Sequence, residues 1–397
     1  MMQTVEREQL IAGWNTDVVS ILNANSHSNN ATRLVMLVFL PGNPGCVAWY
    51  IPMLQNVWEQ LQSPEYILEA HACSYAGHGV GDHKTKPHNV QRAVDAYTLE
   101  GQIEHKLAWI ESLISRFDQL PRFIWLSHSI GSYLVNQMLL KRPNLLLRNT
   151  AGVIHLMPFI RFQPSLLKQK LPLTVVANCT HSRNAPCVKL LQLASCLASW
   201  LPHKYLDHLL NRNAGIQCPN LRQFTARLVV QPIMAQNFLA LGCHEIRLLQ
   251  SKSFNASHFQ LRSAERRLFL EFTSNQNIMF SFLIQEIPFG VIGNKSPIAI
   301  LYGGVGPDQW APKFHMDELV HMRSNGRIPK SVHCTFHADL KHDFVVNTES
   351  MVSIVTQYVV RTINRFLSDT REYWQDSVEI RSRLLIEQNL QLQLSDE

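Results

Sequence analysis

Charge is scarce in this chain. Lys, Arg, Asp and Glu make up only 17% of its 397 residues, against roughly 25% in an ordinary globular protein, while 46% is hydrophobic. Such a composition excludes disorder and a polyelectrolyte, and the length suffices for a sizeable core. The formal charge of +6 is scattered along the chain, which argues against a nucleic-acid footprint. It suits a cytosol-facing anionic membrane surface.

Long apolar runs are missing too. No window reaches the ~18–20 consecutive apolar residues of a spanning helix, so the chain reads as soluble or monotopic. MMQTVEREQL at the N-terminus holds two glutamates and no apolar h-region, so it is not read as a secretory signal. The eight cysteines stand at 46, 73, 179, 187, 196, 218, 243 and 334, without a C-x-x-C pair for zinc or redox chemistry. They read as free thiols in a reducing compartment.

What the chain does have is an alternation of short apolar runs and helical patterns. LVMLVFL (34–40), ILEAHACSY (67–75), RFIWLS (122–127), AGVIHLM (151–157), SPIAILY (296–302) and SVHCTFH (331–337) have the length and composition of strands buried on both faces. GQIEHKLAWIESLISRF (101–117) sets Ile103, Leu107, Ile110 and Ile114 on one helical face. Residues 131–142 and 348–367 form further helices. This order predicts an α/β class: a mostly parallel, doubly wound sheet. Residues 1–157 and 291–367 make the core, 158–290 a helical cap inserted over the strands' carboxyl ends, and 368–397 a C-terminal tail.

One strand-to-helix junction carries chemistry. In FIWLSHSIGSYL a buried strand ends, Ser129 occupies a sharp turn and a helix starts at once, the layout of a nucleophile elbow. The usual G-x-S-x-G reads Ser127-His128-Ser129-Ile130-Gly131, with serine at the first glycine; the alternative is a plain turn into a helix. In such an elbow one oxyanion donor is the amide after the nucleophile, here Ile130. The other comes from the loop after an earlier strand, here Pro41-Gly42-Asn43-Pro44-Gly45, with Asn43 favoured and Gly42 second.

The triad order in this fold is Ser, then Asp or Glu, then His. Asp308 is the first carboxylate after the strand at 296–302, and His342 follows the strand at 331–337. The order Ser129, Asp308, His342 is therefore met at strand ends. His342 would take the Ser129 proton and Asp308 would orient it. Asp317, Glu318, His333 and His337 stand nearby as competitors, and a zinc set of His333, Cys334, His337 and His342 is the disfavoured reading. No metal or organic cofactor is required.

The PGNPG loop followed by Tyr50, LSHSIGSY at 126–133, DQWAP at 308–312 and HDF at 342–344 together resemble the lipid droplet-associated hydrolases, over roughly residues 40–350. The resemblance implies an α/β-hydrolase fold, a triad on Ser129, Asp308 and His342, and residence on lipid droplets and the cytosolic face of the endoplasmic reticulum. It also implies neutral-lipid turnover, usually written as sterol-ester hydrolysis. Ser127 stands where that family has glycine, and residues 211–275 align poorly with it.

Residues 187–201, CVKLLQLASCLASWL, hold eleven apolar residues in fifteen, and Lys189, Gln192, Ser195 and Ser199 gather into one narrow stripe. A 15-residue helix is about 22 Å long, too short for a ~30 Å hydrocarbon core. With PSLLKQKLPLTVVA (164–177) it would form a hydrophobic hairpin that dips Leu190, Leu193, Leu197 and Trp200 into a droplet monolayer or membrane surface. The alternative is a lid packed over an apolar pocket. The sequence thus predicts a serine esterase or lipase acting on a lipid ester through an acyl-enzyme. A thioesterase or small-ester hydrolase with the same triad is one alternative, and a non-catalytic droplet tether is the other.

Overall fold

The computed structural model describes residues 2–23, 34–88, 90–91, 93–117, 120–159, 186–213, 216–250, 288–304, 311, 313–346 and 348–369. Asp308, the 164–177 half of the expected hairpin and the tail from residue 370 lie outside them.

The chain opens with an antiparallel hairpin that the apolar pattern does not announce, β1 (Met2–Ile11) and β2 (Trp14–Asn23). Its two-residue turn, Ala12-Gly13, has φ of 46° and 85°. Positive φ at both central residues gives the turn whose twist matches paired strands. β1 is the sheet edge and exposes Glu6, Arg7 and Glu8, charges of the kind that discourage further strand addition.

The strand–helix alternation then follows: β3 (Leu34–Leu40), α1 (Ile51–Gln60), β4 (Ile67–Cys73), α2 (Leu99–Ile114), β5 (Arg122–His128), α3 (Gly131–Lys141) and β6 (Thr150–Leu156). β3, β5 and β6 are buried along almost their whole length, as continuous apolar runs require. α2 starts two residues before the spacing suggests, because Thr98 caps it: its hydroxyl accepts the Gly101 amide at 3.1 Å. After four helices, α4 (Pro186–Ser199), α5 (His203–Asn213), α6 (Pro219–Val229) and α7 (Pro232–Gln250), the core resumes. It closes with β7 (Ile298–Gly303), α8 (Lys313–Ser324), β8 (Val332–His337) and α9 (Glu349–Asp369).

The eight strands make one sheet in the order β1-β2-β4-β3-β5-β6-β7-β8. β1–β2 and β2–β4 are antiparallel and every other pair is parallel. From β3 the chain moves to β4 on one side, then crosses to β5 on the other. This reversal opens a crevice outside the carboxyl ends of β3 and β5, where such sheets hold their ligands. The Pro41–Gly45 loop and Ser129 both lie there.

The helices between β6 and β7 are fastened over those strand ends by side chains. From α7, Asn237 Nδ2 donates to the carbonyls of Gly77 (2.5 Å) and Thr85 (3.2 Å). Asn43 Nδ2 donates to the Phe238 carbonyl on α7 at 3.1 Å. Trp49 Nε1 donates to Thr225 Oγ1 on α6 at 3.1 Å. Among the described residues no helix is long and apolar enough to cross a membrane.

Candidate active site

Among the described residues Ser129 is one of three non-glycine residues with positive φ, at 52°. A side chain in this region is strained, and the strain persists only where surrounding bonds over-determine it. Here they do. The Ser129 amide donates to the Leu156 carbonyl at the end of β6 (3.0 Å), and its own carbonyl accepts from the amides of Ser132 (3.1 Å) and Phe159 (3.1 Å). The backbone is thus pinned by three hydrogen bonds, and Oγ projects from the turn.

Close backbone approach makes two glycines necessary. A Cβ on Gly131 would lie 2.5 Å from the Leu40 carbonyl oxygen and 2.6 Å from that of Pro41; one on Gly42 would lie 2.9 Å from Ser129 Cβ. The first position of the elbow tolerates more. Ser127 is fully buried, and its Oγ lies 2.7 Å from His155 Nδ1 and 3.1 Å from Ser132 Oγ. His155 Nε2 faces Asn136 Oδ1 at 3.1 Å and so donates to it, which leaves Nδ1 to accept the Ser127 hydroxyl. Burial pushes this imidazole down to about 3, so the ring is neutral and the acceptor persists.

His342 lies in the loop after β8 with Nε2 2.9 Å from Ser129 Oγ, within reach for proton transfer. Both residues are half-buried. Asp308, expected to orient His342, is outside the described residues. Of the competitors, Asp317 pairs with Lys313 at 2.9 Å in an exposed salt bridge. His337 Nδ1 accepts the Asp339 amide at 3.3 Å, and His333 lies further back on β8. Among the described residues no three His, Cys, Asp or Glu side chains gather as a metal set.

The two candidates on the Pro41–Gly45 loop differ. The Gly42 amide donates to the Tyr50 hydroxyl at 3.3 Å. Among the described residues, neither the Asn43 amide nor the buried Ile130 amide meets a protein acceptor. Orphaned buried amides are rare in folded proteins. Ile130 also precedes α3, whose N-terminus favours negative charge.

Two features are not given by the motifs: the contact between Tyr50 and His128, and Glu245. Tyr50 and His128 are bonded to each other, the Tyr50 hydroxyl lying 2.8 Å from His128 Nδ1. Glu245, on α7, is buried, and burial raises its carboxyl to about 8 despite an opposing hydrogen bond from Asn43. His128 adjoins Ser129 in sequence, but only the fold brings Tyr50 and Glu245 to it.

The α4 helix is inside out relative to a packed lid. Ser195 is buried, and Gln192 Nε2 donates to Gln236 Oε1 on α7 at 3.0 Å, so part of its polar stripe faces the protein. Leu190, Leu193, Leu197 and Trp200, at steps of three, four and three, are 67%, 55%, 52% and 83% exposed. Lys189 and Ser199 are exposed with them.

A family model described as lipid-droplet associated hydrolase matches residues 33–345. The chain is 34% identical over 128 residues to the lipid droplet-associated hydrolase of Homo sapiens, a stretch that makes up 30% of this chain and 37% of that protein. The aligned stretch thus spans little more than a third of that relative. Among solved structures the chain is similar to the peroxisomal alpha-beta-hydrolase Lpx1 of Saccharomyces cerevisiae, with a TM-score of 0.58 at 12% identity over 94% of this chain and 89% of that one. It is also similar to juvenile hormone epoxide hydrolase from the silkworm Bombyx mori, with a TM-score of 0.50 at 14% identity over 92% and 77% of the two chains. At such identities the likeness shows the fold alone, that of the α/β-hydrolases.

Proposed function

We propose that this chain, which belongs to the lipid-droplet associated hydrolase family, is a serine hydrolase of lipid esters, sterol esters among them, working at the surface of lipid droplets or the endoplasmic reticulum. The observation that carries the reading is the 2.9 Å approach of His342 Nε2 to Ser129 Oγ at a strained elbow with φ of 52°. A strained serine within hydrogen-bond reach of an imidazole nitrogen is the arrangement of an activated nucleophile.

In the proposed reaction His342 Nε2 takes the hydroxyl proton as Ser129 Oγ bonds to the ester carbonyl carbon. The carbonyl electron pair moves onto oxygen, which accepts from the Ile130 and Asn43 amides. Collapse breaks the ester C–O bond, and the leaving alcohol takes the proton from His342. Water then attacks the acyl-enzyme by the same route, releasing the acid. Asp308 would hold the His342 tautomer and stabilise the imidazolium. No metal or organic cofactor enters any step.

The outward apolar face of α4 supports a lipid surface as the partner, since exposed contiguous apolar patches mark interaction sites. The same face favours a second reading, a droplet tether in which the elbow is only structural. Fluorophosphonate labelling separates them, with wild type beside Ser129→Ala and with or without lipid emulsion. Labelling lost in the variant supports the enzyme; folded wild-type protein that never labels supports the tether.

A further inference from the structure

Directly before the elbow serine, His128 is buried between groups from two other segments, the one after β3 and the one after β8. Its Nε2 lies 2.9 Å from the carbonyl oxygen of His342. A carbonyl can only accept, so Nε2 carries the hydrogen. In the neutral ring Nδ1 then has none and accepts the Tyr50 hydroxyl, 2.8 Å away. With its hydrogen so directed, the Tyr50 oxygen turns a lone pair to the Gly42 amide at 3.3 Å. Every donor in the chain is fixed by its neighbour: Gly42 N–H to Tyr50, Tyr50 O–H to His128, His128 N–H to His342.

Packing holds the same three parts together. The His128 ring stands 5.0 Å from the His342 ring and 5.3 Å, edge to face, from Phe344. The Tyr50 ring rests on Phe39 with centroids 4.6 Å apart. Tyr50 is buried, and that burial holds its phenol protonated by raising it above the usual range.

We propose that Tyr50 and His128 are positioning residues for hydrolysis, a bonded strut between the loop that carries the Asn43 amide and the loop that carries His342. The inference rests on the hydrolase reading above. The strut fixes the His342 backbone, and so the reach of its ring to Ser129 Oγ, at the same time as it fixes Gly42, the residue before the oxyanion amide. Both distances matter at the moment of reaction rather than for holding a substrate. A displacement of about 1 Å at such a site costs on the order of 100-fold in rate.

The test is the rate of fluorophosphonate inactivation, with kcat and KM on a soluble p-nitrophenyl ester, for wild type, Tyr50→Phe, His128→Ala, His128→Gln and Tyr50→Phe with His128→Gln. Tyr50→Phe keeps the ring and its packing. We expect its inactivation rate and kcat to fall by about 10- to 100-fold with KM nearly unchanged. His128→Gln, whose amide reaches the Nε2 position, should recover part of what His128→Ala loses. The double variant should lose little more than the worse single one, because the two act as one unit. If Tyr50→Phe does not fold, the comparison of His128→Gln with His128→Ala carries the same expectation. Unchanged kcat in folded variants, or losses confined to KM, overturn the strut and leave the hydrolase reading standing. Wild-type protein that neither labels nor turns over overturns both.

Discussion

The Ser127 hydroxyl lies 2.7 Å from Nδ1 of a fully buried, neutral His155. The residue at the tight first position of the elbow is therefore bonded into the core rather than merely small enough to fit. A Ser127→Gly variant strands His155 Nδ1 and deprives the Ser132 hydroxyl of a partner. It should lose about 1–3 kcal/mol of stability and keep its fluorophosphonate reactivity, as read by urea denaturation beside labelling kinetics. A folded Ser127→Gly that no longer labels would mean that the hydroxyl serves the reaction itself.

Glu245 gives the molecule an alkaline weakness. Burial raises the folded carboxyl from 4.5 to about 8, so the unfolded chain ionises from about pH 4.5 upward while the folded one resists. Stability present below that point is lost as pH rises towards 8, at about 1.4 kcal/mol per pH unit for the full difference. Glu245→Gln abolishes the ionisation. It should raise the melting temperature clearly at pH 8 and hardly at pH 4.5; equal gains at both would show that the carboxyl is neutral throughout or already compensated.

The apolar face of α4 should matter for surfaces and not for chemistry. With Leu190, Leu193 and Leu197 changed together to Glu, flotation with phospholipid-coated triolein droplets should be lost while hydrolysis of a soluble ester persists. Flotation equal to wild type would send the lipid contact elsewhere on the chain.

Asp308 and Asp317 make opposite forecasts. Asp308→Asn should lower kcat by about 1,000- to 10,000-fold with little change in KM, as expected when the orienting carboxylate of a triad is neutralised. Asp317→Asn removes only an exposed pair with Lys313, whose effect should stay within about 1 kcal/mol of stability. Steady-state kinetics on the two variants decides between them.

Much of the core was legible because its strands are buried on both faces. LVMLVFL and RFIWLS have no polar side to confuse with a helix, and they emerge as β3 and β5. The β1–β2 hairpin was not legible, since an exposed edge carrying Glu6, Arg7 and Glu8 has no apolar rhythm. The polar stripe of α4 could be read from spacing, but not the direction in which it faces; the Gln192–Gln236 bond and buried Ser195 turn it inward. Ser129 and His342 could be nominated from strand ends. The Tyr50–His128 contact spans 78 residues of sequence and belongs to no motif, so only the folded chain reveals it.

The proposed mechanism turns on a covalent acyl group at Ser129. Acid-quenching the wild-type protein within its first turnovers of a p-nitrophenyl acyl ester, followed by peptide mass spectrometry, should find the acyl mass on the Ser129 peptide and nowhere in Ser129→Ala, which should also release no nitrophenol above background. Turnover that persists in Ser129→Ala, or wild-type turnover with the acyl group on another residue, would contradict it.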